Sequence, residues 1–212
     1  MTNLTPGPAD MLVLIDIQND FCPGGALAVA DGDAVVPLAN RLQRRFDHVV
    51  LTQDWHSPAH HSFASAHAGA QPFGTTTLPY GEQVLWPDHC VQGTRGADFH
   101  PGLETVRAEL VVRKGFRPEI DSYSAFFEND RRTATGLAGY LRERGFTRVF
   151  LAGLATDYCV AYSAMDAARL GFQAVVVEDA CRAIDLNGSL EQARLGMRSM
   201  GVTLARMDEI GA

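Results

Sequence analysis

Four side chains able to do acid, base or nucleophilic chemistry stand where apolar runs of this sequence break off. Asp16 follows "MLVLI", Asp54 closes "HVVLTQD", Lys114 closes "LVVRK", and Cys159 comes just after "RVFLAGL". A carboxylate set into an apolar run is costly to bury unless a cation pairs with it or its pKa rises. A lone strand-end aspartate is more often a structural ion pair or a turn cap, and a lone lysine is more often a snorkelling surface residue. Brought to one edge, Asp16 and Lys114 each supply what the other lacks. Cys159 has two readings. In the first turn of a helix, unsatisfied amides and a neighbouring lysine favour thiolate over thiol, which makes a nucleophile; equally, a free cysteine packs as a small hydrophobe. Position alone does not separate them. Cys22, Cys90 and Cys181 lack this combination and read as inert.

The stretch "TQDWHSPAHHSF" carries a second pattern. Asp54 and His56 are two apart, so in extended chain both point the same way, and His89 in "WPDHCV" would close the site from the far side of a long loop. One carboxylate and two imidazoles with open positions suit a divalent ion, zinc, iron or manganese. His60, His61 and Ser62 are further donors nearby. The D-x-H spacing is short, and histidines in polar loops are usually just solvated, so the residues leave both readings open.

These groups need elements to hold them. Val/Ile/Leu-rich runs, "MLVLIDI", "HVVLTQD", "ELVVRKG", "RVFLAGL", "AVVVED" and "GVTLARM", read as strands, several of them apolar on both faces. Amphipathic stretches over 33–46, 133–144, 156–170 and 189–200 read as helices, with Gly145 and Gly171 at C-cap positions and Ser189 with Gln192 as a capping box. The alternation predicts a doubly wound α/β fold, a mainly parallel sheet of about six strands flanked by helices. Its strand C-termini share one edge, where such folds bind ligands. Asp16, Asp54, Lys114, Thr156 to Cys159, Glu178 and Asp179 are all expected at that crevice. From about 55 to 101 the periodicity lapses, the length of a lid or binding loop.

With 212 residues, a single domain spanning 1–212 is expected. A net charge of −7 with scattered basic residues repels phosphate backbones and anionic membranes. The expected partners are therefore small molecules or proteins, not nucleic acid or a membrane. "MTNLTPGPAD" has no basic secretion signal, so a cytoplasmic location and free thiols are expected. A homo-oligomer stays open.

Taken jointly, Asp16, Lys114, Cys159, "QDWH", "WPDHCVQGT", "DSYSAFF" and "GLATDYCV" resemble the nicotinamidase/pyrazinamidase group of the isochorismatase-like cysteine hydrolases, in order and spacing from about 12 to 207. The resemblance implies an Asp-Lys-Cys triad of Asp16, Lys114 and Cys159 and a divalent metal, zinc foremost, on Asp54, His56 and His89. A further ligand position varies in the family and falls here on Ser62, which demotes His60 and His61. It also implies a cis peptide before Ala155, an oxyanion hole from the amides of Ala155 and Cys159, and a pocket walled by Phe21, Trp86 and Tyr123 with Leu27. Without it, those aromatic residues read as ordinary packing. Thr156 would cap the nucleophile's helix. The implied reaction is hydrolysis of nicotinamide to nicotinate and ammonia through a cysteine thioester, in NAD salvage. The rivals are an isochorismatase or N-carbamoyl amidase of the same superfamily, a hydrolase whose metal-bound water attacks directly, and a silent binding module.

Overall fold

The computed structural model of the chain describes residues 4–211. Six strands form one sheet: β1 (Asp10–Ile15), β2 (Val49–Asp54), β5 (Ala108–Lys114), β6 (Arg148–Leu154), β7 (Gln173–Arg182) and β8 (Thr203–Ala205). The spatial order is β5-β2-β1-β6-β7-β8, and every neighbouring pair is parallel. The expected sheet is therefore present. β1 and β2 are buried along their whole length, which is why their sequences are apolar on both faces.

The helices are α1 (Val35–Gln43), α2 (Leu137–Glu143), α3 (Ala161–Arg169) and α4 (Ser189–Ser199). Strands are added outward from β1 in both directions, and right-handed crossovers then put α1 on one face and α3 and α4 on the other. Under α1, Phe46 meets Phe150 of β6 edge to face at 4.9 Å. Burying side chains such as Leu12, Leu14 and Ile15 of the central strand contributes about 1.5–3 kcal/mol each.

Several local expectations are corrected. α2 begins later than 133 because Thr133 and Thr135 serve the preceding loop: Thr133 donates to Asp130, and the Thr135 hydroxyl donates to Ala125 O at 2.6 Å. Ser189 forms no capping box; Gly188 precedes α4, and the Ser189 hydroxyl donates to Asp157 instead. β7 continues past "AVVVED" through a register shift, so Glu178 and Asp179 lie inside the strand rather than at its end. Glu178 pairs with Arg194 at 3.0 Å, and Asp179 accepts from Met207 N at 2.8 Å; neither joins the crevice. Gly145 and Gly171 do close α2 and α3, with φ of 78° and 90°.

The long segment between β2 and β5 contains a hairpin that periodicity does not reveal, β3 (Thr75–Leu78) and β4 (Gly81–Val84). Among the described residues no helix is long and apolar enough to cross a membrane, and all four cysteines are free.

Candidate active site

Numbered along the chain, the six sheet strands have the order 3-2-1-4-5-6, and the topological switch lies between β1 and β6. Asp16 follows β1 and Cys159 follows β6, so the two flank that switch. Asp54 and Lys114 are the last residues of β2 and β5, on the same edge. The approach of β6 to β1 is close: at Gly153 (φ 125°) a Cβ would lie 2.1 Å from Ile15 O, so only glycine fits.

Asp16, Lys114 and Cys159 lie together at this edge. Lys114 Nζ is fully buried, 2.8 Å from Asp16 Oδ2, and donates to Asp54 Oδ1 at 2.5 Å, to Ser122 O at 2.8 Å and to Cys159 Sγ at 3.4 Å. Asp16 Oδ1 accepts from the Thr52 hydroxyl at 2.6 Å, whereas its Oδ2 has no hydrogen-bond partner of good geometry. One carboxylate oxygen is thus held and the other is available. Acceptor atoms of Asp16, Asp54 and Cys159 lie within 4.8 Å of one another.

The electrostatics correct one expectation. Burial, and then the charges of Asp16 and Asp54, push the Cys159 thiol well above its usual range, and Lys114 does not offset them. Burial also raises Asp16, against the pull of Lys114 and with the help of Asp54. Burial would raise Asp54 too, but Lys114 and His56 hold it well below the carboxylate range. Burial works against the Lys114 ammonium, yet Asp16 and Asp54 together keep it charged. Two carboxylates around one ammonium leave the cluster one negative charge in excess, so a free thiolate there would add a second. A raised carboxylate beside a thiol is suited to accept its proton as the sulfur attacks.

Cys159 does not sit in a regular first helical turn. Thr156–Val160 form a wide turn in which Val160 N donates to Ala155 O at 3.1 Å, and α3 follows. Thr156 makes no side-chain cap; Ala155 occupies that position. The peptide between Leu154 and Ala155 is cis, in line with the resemblance.

Beside the triad, Asp54, His56 and His89 are buried and converge. Asp54 Oδ2 is 3.6 Å from His56 Nε2 and 3.8 Å from His89 Nε2. The other ring nitrogens are occupied: His56 Nδ1 is 2.8 Å from Gly115 O, and His89 Nδ1 is 2.8 Å from Pro87 O. With Nδ1 as the donor, each Nε2 is left facing Asp54. This carbonyl-oriented arrangement is that of metal-ligating histidines, so the residues fit a divalent ion. Ser62 is buried, with Oγ 2.8 Å from His60 Nδ1. His60 Nε2 is 2.7 Å from Arg117 O, and burial, with His56, lowers the His60 pKa to about 4. Both His60 nitrogens are therefore engaged, and His61 is exposed.

Gly115 (φ 64°) sets the His56 ring from below, since a Cβ there would lie 2.6 Å from Cε1 and 2.8 Å from Nδ1. Gly115→Ala is expected to weaken metal binding by about 10-fold or more by displacing that ring. Calorimetric titration of metal into the metal-free variant checks it, and wild-type affinity would contradict it.

A slot opens onto Cys159, lined by Phe21, Leu27, Trp86, Tyr123 and Ala155 together with Asp54 and His89. Sequence reasoning placed Tyr158 at the crevice but missed two further walls, Asp121 and Ile184. Tyr158 meets Trp86 edge to face at 4.9 Å and Tyr123 at 5.5 Å. Ile184 is delivered by a loop that Asp157 holds: its buried carboxylate accepts from Ile184 N at 3.0 Å and Asp185 N at 2.7 Å. A polar residue two before the cysteine was the available signal for Asp157; nothing local marks Ile184.

A buried thiol flanked by a carboxylate and an ammonium, at the switch point of this sheet, places the chain among α/β proteins with a cysteine-centred site. Residues 10–209 match the Isochorismatase domain, and the chain belongs to that family. It is 56% identical over 191 residues to a nicotinamidase of Acinetobacter baylyi, covering 90% of this chain and 89% of the relative. It is 45% identical over 202 residues to a nicotinamidase of Escherichia coli, covering 93% and 94%. Among solved structures, the Acinetobacter baumanii nicotinamidase/pyrazinamidase superposes with a TM-score of 0.93 at 56% identity, covering 94% of this chain and 97% of that one. PnC1 from L. infantum in complex with nicotinate gives 0.84 at 39% identity, covering 96% and 95%. The pyrazinamidase of Pyrococcus horikoshii in complex with zinc gives 0.77 at 34%, covering 94% and 100%.

Proposed function

We propose that this chain is a nicotinamidase, an amidohydrolase that converts nicotinamide to nicotinate and ammonia in NAD salvage, in the cytoplasm. The observation that carries the reading is the contact of Lys114 with Asp16, Asp54 and Cys159 at the floor of an aromatic slot that also reaches His89. A flat aromatic amide suits that slot. The nicotinamidase relatives named above support the substrate.

In the proposed cycle the free oxygen of Asp16 takes the Cys159 proton while the sulfur attacks the amide carbon. Lys114 stabilises the sulfur and keeps the two carboxylates apart. The backbone amides of Ala155 and Cys159 receive the developing oxyanion. Asp16 returns the proton to the leaving ammonia, and a nicotinoyl thioester remains on Cys159. Asp16 then takes a proton from water as the water oxygen attacks the thioester; the carbon–sulfur bond breaks, Asp16 returns the proton to the Cys159 sulfur, and the acid leaves as nicotinate. Phe21, Leu27, Trp86 and Tyr123 hold the ring and exclude bulk water. Asp54, His56 and His89, with Ser62 as a further donor, would hold one divalent ion, zinc before iron or manganese, which supplies a Lewis-acidic anchor for a ring nitrogen and offsets the charge of Asp54.

The test is ammonia release from nicotinamide with and without a chelator. Turnover by the metal-loaded protein, loss of at least about 10-fold on chelation and recovery on adding metal back are expected. Turnover that ignores thorough metal removal would point to an isochorismatase-like hydrolase that does not use the Asp54, His56 and His89 set.

A further inference from the structure

The hairpin β3–β4 is mostly exposed, yet one residue of its two strands, Gln83, is buried, with 1% of its surface accessible. Its carboxamide is fully engaged. Nε2 donates toward Val84 O at 2.7 Å, Asp121 Oδ2 at 2.8 Å and the Tyr123 hydroxyl at 2.9 Å. Oε1 accepts from the Tyr80 hydroxyl at 3.0 Å and from Asn129 Nδ2 at 3.2 Å. Donors face acceptors and the acceptor faces donors, so the amide has one favourable orientation. The remaining bonds extend the same network. Asn129 Oδ1 accepts from Tyr123 N at 3.0 Å, and Trp86 Nε1 donates to the Tyr123 hydroxyl at 3.2 Å.

Two of these partners, Asp121 and Tyr123, line the slot over Cys159, and Trp86 is a third wall bonded to the same hydroxyl. Gln83 itself is not among the slot's lining residues. We propose that Gln83 is a positioning residue for substrate: through the Tyr123 hydroxyl and the Asp121 carboxylate it sets the aromatic wall against which the ring binds, and so makes the hairpin part of the binding site. This inference rests on the slot being the nicotinamide site. Bond breaking is left to groups Gln83 does not touch, so its removal acts on binding.

Gln83→Leu keeps the bulk and removes every hydrogen bond; Gln83→Glu keeps the shape but sets a carboxylate against Asp121. Both are expected to raise the KM for nicotinamide by about 10-fold or more while kcat stays within about 3-fold. Because Gln83 acts through Tyr123, the loss in kcat/KM for Gln83→Leu with Tyr123→Phe is expected to be smaller than the product of the two single losses. Thermal melting and thiol titration establish the folded fraction, and Gln83→Met takes the place of Gln83→Leu if the latter fails to fold. An unchanged KM, a loss confined to kcat, a fully multiplicative double variant, or failure of both Gln83→Leu and Gln83→Met to fold would overturn the proposal. No ammonia from the wild-type protein in the same assay would overturn the nicotinamidase reading instead.

Discussion

Cys159→Ala is expected to lower ammonia release from nicotinamide by at least about 10³-fold, because it removes the sulfur on which the thioester forms. The change removes one small buried atom next to Lys114. It leaves the paired charges of Asp16, Lys114 and Asp54 in place, so its cost to folding is expected to stay within about 1–2 kcal/mol. Metal binding should be untouched, since Cys159 is outside the Asp54, His56 and His89 set. Nicotinamide should still bind, since the aromatic walls are unchanged. Calorimetry for metal and substrate beside the ammonia assay reads all of these, and near wild-type turnover would remove Cys159 from the mechanism.

Asp16→Asn is the second large effect, with an expected loss of about 10²–10⁴-fold in kcat/KM, the range for a positioned general base. Asparagine can still accept from Thr52 but cannot take a proton. Thermal melting and circular dichroism of the variant separate this loss from unfolding. The thiol should behave oppositely to turnover: beside burial, the charge of Asp16 helps hold the proton on Cys159. Removing that charge lowers the thiol pKa, so alkylation of Cys159 at fixed pH should speed up while hydrolysis slows. Turnover near wild type, or alkylation that slows with it, would assign the proton elsewhere.

How much of this was legible in the sequence depended on whether a residue's signal was local. Asp16, Asp54 and Lys114 are visible because a charge ends an apolar run, and runs of that kind become strand ends on one edge. Glu178 and Asp179 give the same signal, but the register shift carries β7 past them to partners in α4 and the C-terminal segment. The walls Phe21, Leu27, Trp86 and Tyr123 are in irregular loops, where periodicity places nothing; only the family resemblance picked them out. Gln83 and Ile184 were not legible as site residues, and Asp157, expected at the crevice, was not legible as the anchor of a loop, because their partners are remote. Gln83 meets Asp121 and Tyr123, and Asp157 meets Ile184 and Asp185. The surroundings of Cys159 were legible only in part: the lysine and the helix start are visible in the sequence, whereas burial and the two carboxylates, which push the thiol pKa up, appear only once the chain is folded.

The central claim is that the acyl group passes through Cys159 rather than directly to water, and partitioning with hydroxylamine tests it most directly. The metal-loaded wild-type protein is given nicotinamide in rising hydroxylamine, and nicotinate, nicotinohydroxamate and ammonia are measured together. Formation of the hydroxamate at the expense of nicotinate, absent in Cys159→Ala, is the expected result. Nicotinate as the only acyl product at every hydroxylamine concentration, or hydroxamate formed equally by Cys159→Ala, would contradict a thioester on Cys159.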